Sequence, residues 1–92
     1  MEVKDIQQEC FLVYDRREPK RNLYQRFFTL VEEVGELSEA LLVADGCKPN
    51  KETNVGEEIA DIFSNLMTLS TMLDIDVEKE TLRKLEILST RE

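Results

Sequence analysis

Two apolar ladders set what this chain can fold into. Leu23, Phe27, Leu30, Val34, Leu37 and Leu41 advance in steps of 4, 3, 4, 3 and 4 residues, and Val55, Ile59, Ile62, Leu66, Leu69 and Leu73 repeat the same steps. That alternation keeps six side chains on one stripe of an α-helix and packs it against a partner helix. Between the ladders runs a break from Asp45 through Gly46, Pro49 and Asn50 to Asn54. Two long helices joined so briefly read as an antiparallel hairpin. Two further breaks, Glu18-Pro19-Lys20-Arg21-Asn22 and Asp74-Ile75-Asp76, leave room for a helix on either side. With 3 Gly, 2 Pro and short β-branched runs, the expected fold is all-α. The helices fall at roughly 3–17, 23–44, 54–73 and 77–90. Asn22 and Asp76 suit N-caps, and Gly46 suits a C-terminal stop. The fold expected is a single domain over residues 1–92, an antiparallel helical hairpin with flanking helices, of four-helix-bundle type and completed by oligomerisation.

Composition removes several function classes. A chain of 92 residues buries only about 60–70% of its unfolded surface, so a second copy is a natural source of further core. Lys plus Arg is 12 against 20 Asp plus Glu, giving a net charge of −8. That argues against binding duplex nucleic acid, which draws its affinity from Lys and Arg on phosphates. There is no His, which excludes His-ligated zinc, Ser-His-Asp and Cys-His catalysis, and the Glu-x-x-His di-iron bundle. Cys10 and Cys47 are too few for a disulfide framework and read as free thiols. The start, MEVKDIQQEC, is charged, so no signal peptide is expected, and no apolar run approaches the ~20 residues of a membrane span. The expectation is a soluble cytoplasmic protein.

Acid pairs three apart carry little by their number alone. Chance gives about four in such an acidic chain, and the sequence has five: Glu2/Asp5, Asp15/Glu18, Glu33/Glu36, Glu36/Glu39 and Glu58/Asp61. Registry says more. At about 100° per residue, Glu33 and Glu36 fall roughly 80° and 140° to one side of the first ladder, and Glu58 and Asp61 roughly 60° and 120° to the same rotational side of the second. In an antiparallel pair these offsets bring the four carboxylates to one edge at matching height. Glu32, Glu39 and Glu57 point to the back and read as solvated acids. On the opposite edge, Phe28, Val31, Leu42, Ala60, Phe63 and Met67 form a second apolar face, to be covered by the first and fourth helices or by another chain.

Four gathered carboxylates repel one another, and a bound hard cation removes that cost. Oxygen ligands without His or thiolate suit Mg²⁺, Mn²⁺ or Ca²⁺. No Asp-rich twelve-residue loop is present, so an EF-hand is excluded. Mg²⁺ leaves open positions for phosphate oxygens, which lets an acidic protein bind a polyanion.

The stretch Phe28-Thr29-Leu30-Val31-Glu32-Glu33-Val34-Gly35-Glu36-Leu37-Ser38-Glu39-Ala40-Leu41, followed by Gly56-Glu57-Glu58-Ile59-Ala60-Asp61-Ile62, resembles the MazG family of all-α nucleoside triphosphate pyrophosphohydrolases. Glu33 and Glu36 match the family's ExxE, and Glu58 and Asp61 its ExxD, with 21 residues between. The resemblance covers residues 22 to 91. It implies Mg²⁺-dependent hydrolysis of a nucleoside triphosphate, deoxynucleotides above all, between the α- and β-phosphates, giving monophosphate and pyrophosphate. By the same resemblance Glu33, Glu36, Glu58 and Asp61 are metal ligands and catalytic residues, with Mn²⁺ a substitute ion. Lys84 and Arg91 resemble the basic pair of the family's last helix, although Leu88 stands where an Asn is usual. Arg21 and Asn22 precede the acidic helix and are candidates to face substrate. Family members bury their second apolar face between subunits, implying a homodimer at least, and a homotetramer as a dimer of dimers.

A second reading stays open on the sequence alone. The same seams and charge suit a non-enzymatic helical dimerisation module, antitoxin-like, whose acidic edge binds a basic partner. Phe11, Tyr14, Tyr24 and Phe27 are candidates to stack on a base, with core or interface packing as the ordinary role for each.

Overall fold

The computed structural model describes residues 1–18, 21–48 and 53–91. Pro19, Lys20, Pro49 and Asn50, which the sequence places in the breaks, lie outside them. The described residues form four helices: α1 (Val3–Arg17), α2 (Leu23–Ala44), α3 (Val55–Met72) and α4 (Val77–Ser89). The ends follow from local chemistry. Asn22 accepts from the Gln25 amide at 2.9 Å, while the Gln25 side chain accepts from the Asn22 amide, a reciprocal cap on α2. Asn54 caps α3 and Asp76 caps α4 in the same sense. At the other end of α2, Gly46 takes a φ of 78°, and the Cys47 amide reaches back to the Leu42 carbonyl at 2.9 Å. The α3 terminus repeats the motif with Asp74 in the left-handed position, φ 56°, and the Ile75 amide on the Ser70 carbonyl at 2.9 Å.

Helix α2 packs on α3, α1 packs on the flank of α3, and α4 leans on α1. The hairpin is antiparallel. As α3 ascends from Glu58 through Asp61 to Asn65, its neighbours on α2 descend from Glu36 through Glu33 to Thr29. Helix α1 also opposes α3 in direction, since Tyr14 bonds Ser64 while Gln7 reaches Ile75. Buried Gln7 donates to the Ile75 carbonyl at 2.6 Å and accepts from the Val77 amide at 3.2 Å, tying α1 to the α3–α4 turn.

The face that turns inward differs from the ladder alone. Leu23, Leu30 and Leu37 of α2 and Val55, Ile62 and Leu69 of α3 point at least partly in, but the alternate members Phe27, Val34, Leu41, Ile59, Leu66 and Leu73 are exposed. The inward sector instead widens towards the polar side, where α1 docks, and it takes in Arg26, Asn65, Thr68 and Ser70. Arg26 tolerates this burial by donating to Glu18 and to the Tyr14 carbonyl, and the polar residues of α3 by bonding within their own helix. Asn65, Thr68, Ser70 and Thr71 each donate to the carbonyl four residues back, at 2.8 to 3.0 Å. The fully apolar core is small: Ala40, Met67 and Leu69.

The expected second apolar face is covered by neither α1 nor α4. Met67 goes in, but Phe28, Val31, Leu42, Ala60 and Phe63 remain exposed. The chain is correspondingly open. Its radius of gyration is 15.6 Å, against about 12 Å for a compact domain of this length. Its accessible surface is 7044 Å², against about 5,500 Å² from the scaling of monomeric proteins.

Candidate metal centre

Glu33 and Glu36 stand one turn apart on α2, and Glu58 stands in the first turn of α3, where the helix dipole favours an acid. The hairpin brings one carboxylate oxygen from each of the three within 4.8 Å of the others. Glu33 and Glu58 are half-buried and Glu36 is exposed. The Oε2 atoms of Glu33 and Glu58 are both shut off from solvent and have no hydrogen-bond partner among the described residues.

The electrostatics reflect that crowding. Burial first, then the charges of Glu36, Asp61 and Glu58, push the Glu33 carboxyl from 4.5 up to about 7. Glu58 is raised as well, by loss of water and then by Glu36 and Asp61. Glu36 is in hydrogen-bonding reach of both neighbours, which adds to the upward shift of each. Asp61 is near enough to act on Glu33 and Glu58, although the tight group is the three glutamates.

Two buried oxygens without donors, in a crowded set of hard oxygen ligands, fit a divalent cation. Either protons or a metal can relieve the repulsion. The sequence has no His and the trio includes no Cys, so the donor set is of the hard, all-oxygen kind.

A cavity of about 190 Å³ adjoins the carboxylates, lined by Tyr14, Arg17, Glu18, Thr29, Glu33, Asp61 and Asn65. Glu33 thus borders both the acidic group and the cavity. Tyr14, from α1, is half-buried and hydrogen-bonded to Ser64, and burial raises its phenol above 10.0.

The other candidate residues lie as follows. Arg21 donates to Thr29 Oγ1 at 2.8 Å and lies 3.5 Å from Glu18, at the rim of the cavity. Asn22 spends its side-chain oxygen on the α2 cap. Lys84 is exposed on α4, and Arg91 is exposed beyond its end; neither lines the cavity. Glu32 and Glu57 are exposed, whereas Glu39 is half-buried. Of the candidate aromatics Tyr14 reaches the cavity, while Tyr24 and Phe27 are exposed. Arg17, Thr29 and Asn65 escaped the sequence reading. A signal for two existed: Asn65 is one turn past Asp61, and Thr29 one turn before Glu33.

No profile of a known family matches this sequence, and no curated protein matches it either. Among solved structures, the crystal structure of the putative pyrophosphatase YpjD from Bacillus subtilis is similar over the full chain. The TM-score is 0.83 and the identity 31%, covering 100% of this chain and 97% of that one.

Proposed function

This chain belongs to the all-helical pyrophosphatase family of Bacillus subtilis YpjD, and from that premise we propose that it is a MazG-like nucleoside triphosphate pyrophosphohydrolase. It would convert a (deoxy)nucleoside triphosphate and water to the monophosphate and pyrophosphate. The observation that carries the reading is the glutamate trio, with two of its buried oxygens unpartnered, beside a cavity of its own. An acidic module built only to bind a basic protein needs solvated carboxylates, not ones driven towards protonation.

Glu33, Glu36 and Glu58 would hold Mg²⁺, or Mn²⁺ in its place, with Asp61 alongside. Once bound, the cation would offset charge on the phosphates and favour departure of pyrophosphate. The chain's own part is placement. Glu33 belongs to the trio and also lines the cavity, so a ligand lying across it would meet the metal ligands with one end and Tyr14 and Asn65 with the other. Arg17 lines the cavity and Arg21 is tethered to Thr29 at its rim, so both would stand near an incoming phosphate. Lys84 and Arg91 would serve the site of a neighbouring copy. Partnership of at least two chains is supported by the exposed half-ladders and by the surface in excess of a compact monomer.

The test is a screen of common NTPs and dNTPs with millimolar Mg²⁺, the products separated by anion exchange. Monophosphate plus pyrophosphate, lost on adding EDTA, is the expected result. Diphosphate plus phosphate would refute the bond assignment, and no turnover of any nucleotide would refute the activity.

A further inference from the structure

The glutamate trio accounts for an anionic ligand's phosphates but not for the cavity beside it. Of the side chains lining that cavity, Asn65 stands apart. It is 3% exposed, and its Oδ1 has no hydrogen-bond partner among the described residues. Its Nδ2 donates to the Asp61 carbonyl at 2.8 Å, which fixes the amide's orientation and leaves Oδ1 as the free atom. A buried carbonyl oxygen without a donor is destabilising, and a ligand that supplies the donor removes that cost.

The rest of the lining says which ligand group fits. Glu33, Asp61 and Glu18 bring carboxylates, which repel a phosphate. An ionised phosphate also has no N–H to give. Tyr14 offers an uncharged aromatic ring, and Arg17 a planar guanidinium that stacks on flat groups. At about 190 Å³ the space is below the roughly 300–1,000 Å³ that encloses a whole drug-sized ligand, so it takes one moiety. A flat, uncharged ring with N–H donors answers all of these demands.

We propose that Asn65 is the residue through which this chain reads the base of its nucleotide, its Oδ1 accepting an N–H of a base seated between Tyr14 and the α2–α3 hairpin. The inference rests on the nucleotide reading of the neighbouring glutamates for the identity of its ligand. Asn65 touches the base and not the reacting phosphates, so it governs selectivity.

Two measurements test it. The first compares Asn65→Leu with wild type on the preferred nucleotide and on deoxyribose 5-triphosphate, which lacks the base. The ratio of kcat/KM between the two substrates should fall about 10- to 100-fold in the variant, mainly through KM, as a lost buried hydrogen bond dictates. Equal losses on both substrates, or none, would overturn the role. The second follows the Asn65 side-chain amide of the wild-type protein by NMR during titration with free deoxynucleosides and, separately, with deoxyribose. A shift with a deoxynucleoside alone supports the assignment even if no triphosphate is hydrolysed, in which case only the enzymatic reading falls. A shift with deoxyribose alone would move the contact to the sugar and overturn the assignment, as would no shift with either.

Discussion

Arg26 grips Glu18 at two points: Nη1 lies 3.0 Å from the carboxylate and Nη2 lies 3.1 Å from the backbone carbonyl of the same residue. The arginine is buried and the glutamate half-buried, so the pair is anchored from the α2 side. Nη2 also takes the Tyr14 carbonyl at 3.2 Å, which closes the last turn of α1. Arg26→Met should lower stability by about 2–3 kcal/mol in urea denaturation, since three charge-assisted hydrogen bonds go and half-buried Glu18 rehydrates in part. Arg26→Lys should not restore it, because an ammonium lacks the fork that spans carboxylate and carbonyl together.

Glu33→Gln separates function from fold. Loss of a direct metal ligand should cost more than the roughly 10–100-fold typical of supporting groups around a metal. The metal-free variant should be more stable than wild type by about 0.5–2 kcal/mol, because a repelling charge has gone. Steady-state kinetics and thermal melts check the two halves. A variant of wild-type activity would remove the glutamates from the site.

Stability should depend on pH in a direction set by the same residue. Glu33 holds its proton up to about 7 in the fold, against 4.5 as its ordinary value. Between those values the folded chain binds more protons than the unfolded one, so metal-free stability falls as pH rises and is lowest above 7. Mg²⁺ competes with those protons, and its gain in melting temperature should be larger at about pH 8 than at about pH 5.5. Both slopes should flatten in Glu33→Gln.

Gln7 makes a separate prediction far from the carboxylates. Its amide satisfies the Ile75 carbonyl and the Val77 amide, and it is buried. Gln7→Leu keeps the volume but strands both backbone groups, so a loss of about 2–4 kcal/mol is expected. Amide exchange should then speed up at Val77 before it does in the middle of α3.

The exposed half-ladders predict association. Sedimentation equilibrium should give at least twice the 10.7 kDa of one chain. Val34→Asp or Leu66→Asp should reduce it to one chain and lower stability, because both residues are exposed apolar members of the ladders. A wild-type protein of 10.7 kDa at micromolar concentration would contradict this.

Much of this architecture is legible in the residues because its signals are local. Asn22, Asp76 and Gly46 mark helix ends through bonds to atoms within a few residues, and the helices begin and end close to where those signals put them. The meeting of Glu33, Glu36 and Glu58 follows from rotation about two helices and one antiparallel turn. What escapes the sequence depends on α1. Its docking on the polar flank of α3 decides that Phe27, Val34 and Leu41 face out while Arg26 and Asn65 face in. A ladder gives the direction of one helix's apolar stripe and nothing of which third helix arrives beside it. Asn65 looks like a surface amide until α1, whose Tyr14 bonds the adjacent Ser64, docks on that flank of α3.

The bond from Gln7 to Ile75 joins residues 68 positions apart, whereas the glutamates meet across one hairpin. Closing the longer loop costs more chain entropy and waits for more of the chain to be made. The expected order of assembly is that the glutamates come together first and that α1 docks across the α3–α4 turn later. During synthesis the amino-terminal helix therefore emerges before its docking site has been translated. Pulse-labelled hydrogen exchange during refolding should find α2 and α3 protected while α1 still exchanges.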